Sequence, residues 1–184
     1  MREILFRGKR IDNGEWVEGF YCKAKYYATD KELCDYITVL YPDEEGRRSD
    51  HFMIDSETRG QYTGLTDKNG VKIFEGDIIR ERIVQEYKDS DGKVVATDEE
   101  VSCGVVKFGE YSYLSERFGD DRFTKHIGFY VDWVVKNTGL RQDLGFWANV
   151  KWCDVFAGNI HDNPEVLEED SEYQFEQWCR MNKE

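Results

Sequence analysis

The sequence has no long hydrophobic run. Within its 184 residues, no uninterrupted apolar stretch approaches the roughly 18 residues that a membrane span needs. The charges of Arg7, Lys9 and Arg10 interrupt the N-terminus, which therefore lacks the apolar core of a secretory signal. We expect a protein without membrane association that stays in the cytoplasm where it is made.

The cysteines are odd in number and widely spaced, without a Cys-x-x-Cys pair. A disulfide framework or a zinc knuckle requires closer, paired spacing. We therefore predict ordinary reduced thiols, most of them buried as small apolar side chains. The five cysteines are Cys22, Cys34, Cys103, Cys153 and Cys179.

Proline is scarce, since Pro42 and Pro164 stand against 16 glycines. This balance favours turns and hairpins over extended linkers. Hydrophobic residues make up 40% of the chain and aromatic residues 15%, which is enough apolar material for a packed core. The length predicts one domain over residues 1–184, with residues 164–182 as a helical appendage.

Positive charge does not balance negative charge, because 25 Lys and Arg residues stand against 38 Asp and Glu and give a formal net charge of −13. Such a surface repels the phosphate backbone, so direct binding of nucleic acid is disfavoured. The acidity itself has two interpretations. The favoured one is that the negative charge keeps the protein soluble. The other is that the acidic surface mimics nucleic acid and binds a basic partner.

Alternating apolar and polar residues and turn signals predict many short strands. Asp12-Asn13-Gly14 supplies the residues of a tight hairpin between Ile4–Ile11 and Glu15–Tyr21. A further hairpin turns at Ser90-Asp91-Gly92. Asp43–Asp50 is predicted to be a loop and Thr138–Gly145 a polar connection. The other predicted strands are Tyr36–Tyr41, Gln61–Leu65, Val71–Phe74, Ile78–Val84, Val101–Phe108, Ile127–Val135 and Trp152–Gly158.

The end of the chain changes character. Asn163 and Pro164 are typical of an N-cap and a first helical position. Phe175, Trp178 and Cys179 then recur at the spacing of one helical face. The fold class is therefore mainly β: short antiparallel strands in a barrel-like or strongly bent sheet, with a short C-terminal helix.

No catalytic constellation is visible, and we predict neither an enzyme nor a cofactor. His51, His126 and His161 show no metal-ligand spacing. Glu75 and Asp77 flank Gly76, and two carboxylates at this spacing could bind a hard cation. Capping of a turn by these residues is the favoured interpretation, because no further ligands follow them.

The aromatic residues could offer stacking platforms for bases, but this use requires neighbouring basic residues. Here the companions in the sequence are largely acidic, so packing in a core or a subunit interface is favoured. The aromatic residues considered are Trp16, Tyr62, Phe74, Tyr111, Tyr113, Phe129, Tyr130, Trp133, Trp152 and Trp178.

The segment QYTGLTDKNGVKIFEGDII, from Gln61 to Ile79, resembles the YopX family of bacteriophage and prophage proteins. Arg2–Arg7 and Gly158–Leu167 resemble the two ends of that family. The resemblance implies a β-rich fold, a phage setting in a bacterial host cell and self-association. It transfers no catalytic residue. The positions of the family motif are Gln61, Tyr62, Gly64, Asp67, Asn69, Gly70, Glu75, Gly76, Asp77, Gly158 and Asn159.

Three hypotheses follow. The leading one is a non-enzymatic phage accessory protein that forms a homo-oligomer or binds a host or phage protein. The second is an acidic decoy that occupies a nucleic-acid-binding host protein. The third is a metal-dependent hydrolase that uses Glu75 and Asp77.

Overall fold

The structure is a computed structural model that describes residues 3–25, 33–41, 48–67, 69–114, 123–133, 141–143 and 154–167. Strands dominate the described residues, so the prediction of a mainly β, antiparallel protein is confirmed. The first six strands are Phe6–Lys9 (β1), Trp16–Lys25 (β2), Leu33–Leu40 (β3), Ser49–Met53 (β4), Gly60–Thr66 (β5) and Lys72–Phe74 (β6). The others are Asp77–Lys88 (β7), Val94–Leu114 (β8), Phe123–Trp133 (β9), Arg141–Asp143 (β10) and Asp154–Asn159 (β11).

The chain divides into two compact units. Unit 1 comprises Met1–Leu65 and Lys72–Gly76, and unit 2 comprises Thr66–Val71 and Asp77–Glu184. That residues 1–184 form a single domain stays a prediction.

Unit 1 holds a six-stranded sheet in the order β4-β3-β2-β1-β5-β6. An isolated bridge joins Arg10, just after β1, to Ile54, just after β4. The sheet therefore bends back on itself. Ile37 and Ile54 are almost fully buried within this bend. A side chain at Gly8 would overlap Ile54, so glycine allows the two segments to approach.

Unit 2 holds a five-stranded sheet in the order β10-β9-β8-β7-β11. Its long central hairpin turns at Asp89–Lys93, where the sequence predicts a turn. Ile78, Cys103 and Val166 form a buried cluster beside this hairpin. Unit 2 therefore has apolar packing of its own.

Several sequence predictions need correction. β8 spans 21 residues and β7 spans 12, so not all strands are short. β4 and β10 were not predicted, because their short, polar sequences resemble loops. Within the described ranges the strands form two sheets and no closed barrel, because the two edge strands of each sheet do not pair with each other.

The predicted C-terminal helix is not confirmed. Its described part is the 3-10 helix Pro164–Leu167, while residues 168–182 lie outside the described residues. Cys153 and Cys179 also lie outside them, and Cys22, Cys34 and Cys103 are free thiols. In the described part of the chain no helix is long and apolar enough to cross a membrane.

Candidate functional site

The central motif contains a turn built on the carboxylate of Asp67. Asp67 Oδ1 accepts hydrogen bonds from the backbone N–H groups of Asn69 at 2.9 Å and Val71 at 2.7 Å. The Asp67 N–H donates to the Val71 carbonyl, and the Gly70 N–H donates to the Asp67 carbonyl. Gly70 has φ +84°, a left-handed conformation that glycine adopts without a Cβ clash. Asp67, Asn69 and Gly70 thus each have a geometric role in the turn.

A second turn repeats this geometry at Asp89. Asp89 Oδ1 accepts from the N–H groups of Asp91 at 3.0 Å and Lys93 at 2.9 Å. Gly92 has φ +78° and donates its N–H to the Asp89 carbonyl. Both turns share the pattern Asp-x-Asn/Asp-Gly, but Asp67 is buried whereas Asp89 is exposed.

Gln61 and Tyr62 fix β5 between its neighbours. The Gln61 carbonyl accepts the N–H of Glu75 at 2.9 Å. Tyr62 packs with Leu5 and Phe74 in a buried cluster, with 5.4 Å between the Tyr62 and Phe74 ring centroids. These motif positions therefore anchor the sheet of unit 1.

Glu75 and Gly76 form the turn between β6 and β7. Gly76 has φ +84°, and Gly64 in β5 has φ +87°. Glu75 is half-buried, and Asp77 begins β7 with only 2% of its surface exposed. Over the described ranges, no group of three or more His, Cys, Asp or Glu side chains is placed to hold a metal ion.

Gly158 and Asn159 build the turn that follows β11. Asn159 Oδ1 accepts the N–H groups of His161 at 2.8 Å and Asp162 at 3.1 Å. Asn159 Nδ2 donates to Asp162 Oδ2 at 2.8 Å. A Cβ at Gly158 would overlap the side-chain amide of Asn163. This end of the family motif is thus another side-chain-capped turn.

Sequence reasoning missed two residues of the motif region. A Cβ at Gly60 would overlap the carbonyl oxygen of Glu75, so only glycine permits this close strand approach. Thr63 Oγ1 donates to the Ile73 carbonyl at 2.8 Å from a buried position. The only sequence signal for either residue was its place beside Gln61 or Gly64.

Unit 1 also contains a polar cluster that no motif indicates. Asp35, 7% exposed, accepts hydrogen bonds from the Tyr21 hydroxyl and, at 2.9 Å, from Arg59 Nη1. Arg59 Nη1 also lies 2.7 Å from the Tyr21 oxygen, and Lys23 Nζ lies 3.8 Å from Asp35. Burial, and then the hydrogen bond to Asp35, raise the pKa of Tyr21.

A cleft of about 510 Å³ opens beside this cluster in unit 1. The end of β1, the start of β3 and the segment after β4 line it. Arg10 of the lining is paired with Asp12 through Nε–Oδ1 and Nη2–Oδ2 contacts of 2.9 and 2.5 Å, and Asp35 is paired with Arg59. The charges of Arg10 and Asp35 are therefore already engaged by neighbouring side chains.

Cations contact two of the aromatic rings of unit 1, those of Trp16 and Phe74. The Arg7 guanidinium lies 4.8 Å from the Trp16 ring centroid and 4.9 Å from that of Phe74. Lys9 Nζ lies 5.6 Å from the Trp16 ring. Phe74 is buried and Trp16 half-buried, so these contacts are internal packing of unit 1.

Unit 2 exposes an apolar surface on β8 and β9, which we call the apolar face: Phe108, Ile127 and Phe129. Ile127 is 78% exposed and Phe108 50%. Phe108 lies opposite Phe129 with their rings 5.0 Å apart, and Ile127 lies opposite Glu110. Lys125 Nζ contacts Glu110 Oε1 at 2.7 Å, and this hydrogen bond raises the pKa of Lys125. An apolar surface bordered by an opposite-charge pair is suited to protein contact.

Most of the chain matches a known protein family. The family described as YopX protein matches residues 5–168. A crystal structure of protein EF1440 from Enterococcus faecalis is similar with 23% identity and a TM-score of 0.37, covering 91% of this chain and 100% of that one. A comparison with curated proteins gave no match.

Proposed function

Because the chain belongs to the YopX protein family, we propose that it is a phage or prophage accessory protein that acts by self-association. It works in the cytoplasm of a bacterial host cell and catalyses no reaction. The contact between copies involves the apolar face of unit 2. We also propose that the assembled form binds a host or phage protein.

The observation that carries the proposal is the exposure of the apolar face. Ile127 leaves 78% of its surface in water, although it lies in the middle of β9. Burying apolar surface contributes roughly 25 cal/mol per Å², so covering this face favours association. Single exposed apolar residues are common, but adjacent ones on one sheet face mark contact surfaces.

Local charge favours a second copy as the occupant. The chain carries a net charge of −13, so two copies repel each other over most of their surfaces. At the apolar face, Glu110 and Lys125 cancel. A basic partner would gain nothing from this neutral surface, whereas a second acidic chain meets no repulsion there.

The engagement of the motif side chains supports a non-enzymatic role. Asp67 Oδ1 and Asn159 Oδ1 accept hydrogen bonds from backbone N–H groups of their own turns. Such residues hold the scaffold in shape and present no open carboxylate or amide to a substrate.

Light scattering coupled to size-exclusion chromatography tests the proposal on the full chain. The wild type is expected to exceed the mass of one chain at micromolar concentration. Ile127→Asp places a charge in the contact and is expected to give a monomer. Ile11→Asp is the matched control, because Ile11 is also an exposed isoleucine, at 62%, but lies in unit 1.

A wild type that stays monomeric across micromolar concentrations contradicts self-association. An oligomer that Ile127→Asp leaves intact contradicts the role of the apolar face. Circular dichroism establishes that both variants are folded. Capture of basic, nucleic-acid-binding host proteins by a monomer would instead support the acidic decoy.

A further inference from the structure

The hairpin of β7 and β8 extends beyond the sheet of unit 2. β11 pairs with β7 only over Asp77–Arg80, and β9 pairs with β8 only from Gly104 onward. Past these points, among the described residues, the two strands pair only with each other. The distal part of this ribbon, Glu86–Thr97, is here called the arm.

Every residue of the arm is exposed. Three of them are apolar and large: Tyr87, Val94 and Val95, exposed at 46%, 41% and 62%. A two-stranded hairpin by itself is marginally stable in water, and packing against another surface stabilises it. The arm therefore has exposed apolar side chains that can form a contact, and packing against another surface would stabilise it.

The arm is built for contact through its side chains and not through its strand edges. The register of β7 and β8 shifts between Tyr87 and Lys88, which is the signature of a β-bulge. Lys88 and Lys93 add charge beside it. Bulges and lysines both hinder the addition of another strand to an edge.

We propose that the arm of one copy packs on the apolar face of a second copy. This inference rests on the proposed self-association and names the surface that meets the apolar face. In a single chain both surfaces are exposed, so the contact forms between chains. The ribbon carries the tip about 26 Å past Arg80, at about 3.3 Å per residue over eight residues, which is enough to reach a neighbouring copy.

Charge is consistent with this pairing. The arm carries three carboxylates and two ammonium groups, and Lys88 forms an ion pair with Glu86 at 3.3 Å. The arm thus keeps an excess of one carboxylate, whereas the charges of Glu110 and Lys125 balance at the apolar face. As two copies approach, the arm therefore meets little repulsion at the apolar face.

Complementation between two variants tests the inference. Val95→Asp alters the arm and leaves the face intact, whereas Ile127→Asp does the reverse. Each alone is expected to be monomeric by light scattering. An equimolar mixture retains one good arm and one good face, and it is expected to give a complex with the mass of two chains. The milder Val95→Thr keeps a β-branched residue and is expected to raise the dissociation constant several-fold.

The outcomes separate this inference from the proposed function. If Val95→Asp associates like the wild type while Ile127→Asp is monomeric, the face is the contact but the arm is not, and the inference is wrong. If both variants are monomeric and their mixture is also monomeric, the arm does not meet the face. A monomeric wild type overturns the proposed function itself.

Discussion

The buried carboxylate of Asp35 accepts a hydrogen bond from the Tyr21 hydroxyl and helps to raise the pKa of Tyr21. A tyrosine that is half-buried and hydrogen-bonded to a carboxylate resists ionisation, because its phenolate would be less well solvated and would lie beside a second negative charge. The pKa of Tyr21 is raised for these reasons. Arg59 lowers it through its positive charge but does not outweigh burial and Asp35.

A pH dependence of stability follows from Tyr21. A raised folded pKa means that its contribution is complete below the ordinary tyrosine pKa of about 10 and is lost as the pH rises through the higher value. We expect Tyr21→Phe to be less sensitive than the wild type to a rise from about pH 8 to about pH 11, because it cannot ionise. Urea unfolding at a series of pH values measures this difference.

Tyr87→Phe, measured below the concentration at which copies associate, is the matched control for this experiment, since Tyr87 is exposed in the single chain and lies in unit 2. It should follow the wild-type alkaline profile. Parallel profiles for Tyr21→Phe and the wild type would show that the Tyr21–Asp35 contact does not govern alkaline stability.

At the scale of elements, the turns at Asp67 and Asp89 form a natural matched pair. Both aspartates accept two backbone N–H groups through Oδ1, and each turn ends with a glycine at positive φ. They differ in burial, because Asp67 is 7% exposed and Asp89 lies in the exposed arm. Water can replace the lost acceptor more readily at Asp89.

We therefore expect Asp67→Ala to lower the free energy of unfolding by about 1–3 kcal/mol and Asp89→Ala by less than about 1 kcal/mol. Chemical denaturation of the two variants measures both losses. Asp67→Asn retains an acceptor oxygen and should lose less than Asp67→Ala. Equal losses at the two positions would mean that burial of Asp67 adds nothing to its turn.

Element prediction succeeded where the signal is local. Asp12-Asn13-Gly14 and Ser90-Asp91-Gly92 lie in turns of hairpins, since the left-handed conformation and side-chain capping are properties of a few adjacent residues. β4 was missed because Ser49–Met53 lacks a run of β-branched residues. Hydrogen bonding to β3 holds this segment in a strand although its residues have little intrinsic strand preference.

At the scale of the whole molecule, the net charge of −13 opposes contact between copies. Salt screens this repulsion, while the burial of apolar side chains persists. We expect self-association to strengthen from low ionic strength to about 0.15 M salt. Sedimentation equilibrium at several salt concentrations measures the change.

The opposite salt dependence would indicate a different mode of action. Binding of an acidic decoy to a basic protein weakens as salt screens the attraction between them. Ile127→Asp, which should be monomeric at every salt concentration, controls for effects of salt on the column or the centrifuge cell.

The sequence by itself determined the β class, the principal turns and the acidic character of the chain, because these depend on residue type and near neighbours. The family motif was also legible, and its residues Asp67, Gly70 and Gly76 lie in turns. Tertiary structure alone decided which residues meet across long separations. Tyr21 and Arg59 are 38 positions apart, and nothing in either neighbourhood indicates Asp35 between them.

Exposure was likewise decided only in three dimensions. Ile127 in β9 and Val95 in the arm look like ordinary apolar strand residues in the sequence. Whether such a residue is buried depends on which sheet face another element covers, and that is a property of distant parts of the chain. The absence of long hydrophobic runs therefore predicted no membrane-spanning helix, but the surfaces that we propose for self-association became visible only in the folded sheet.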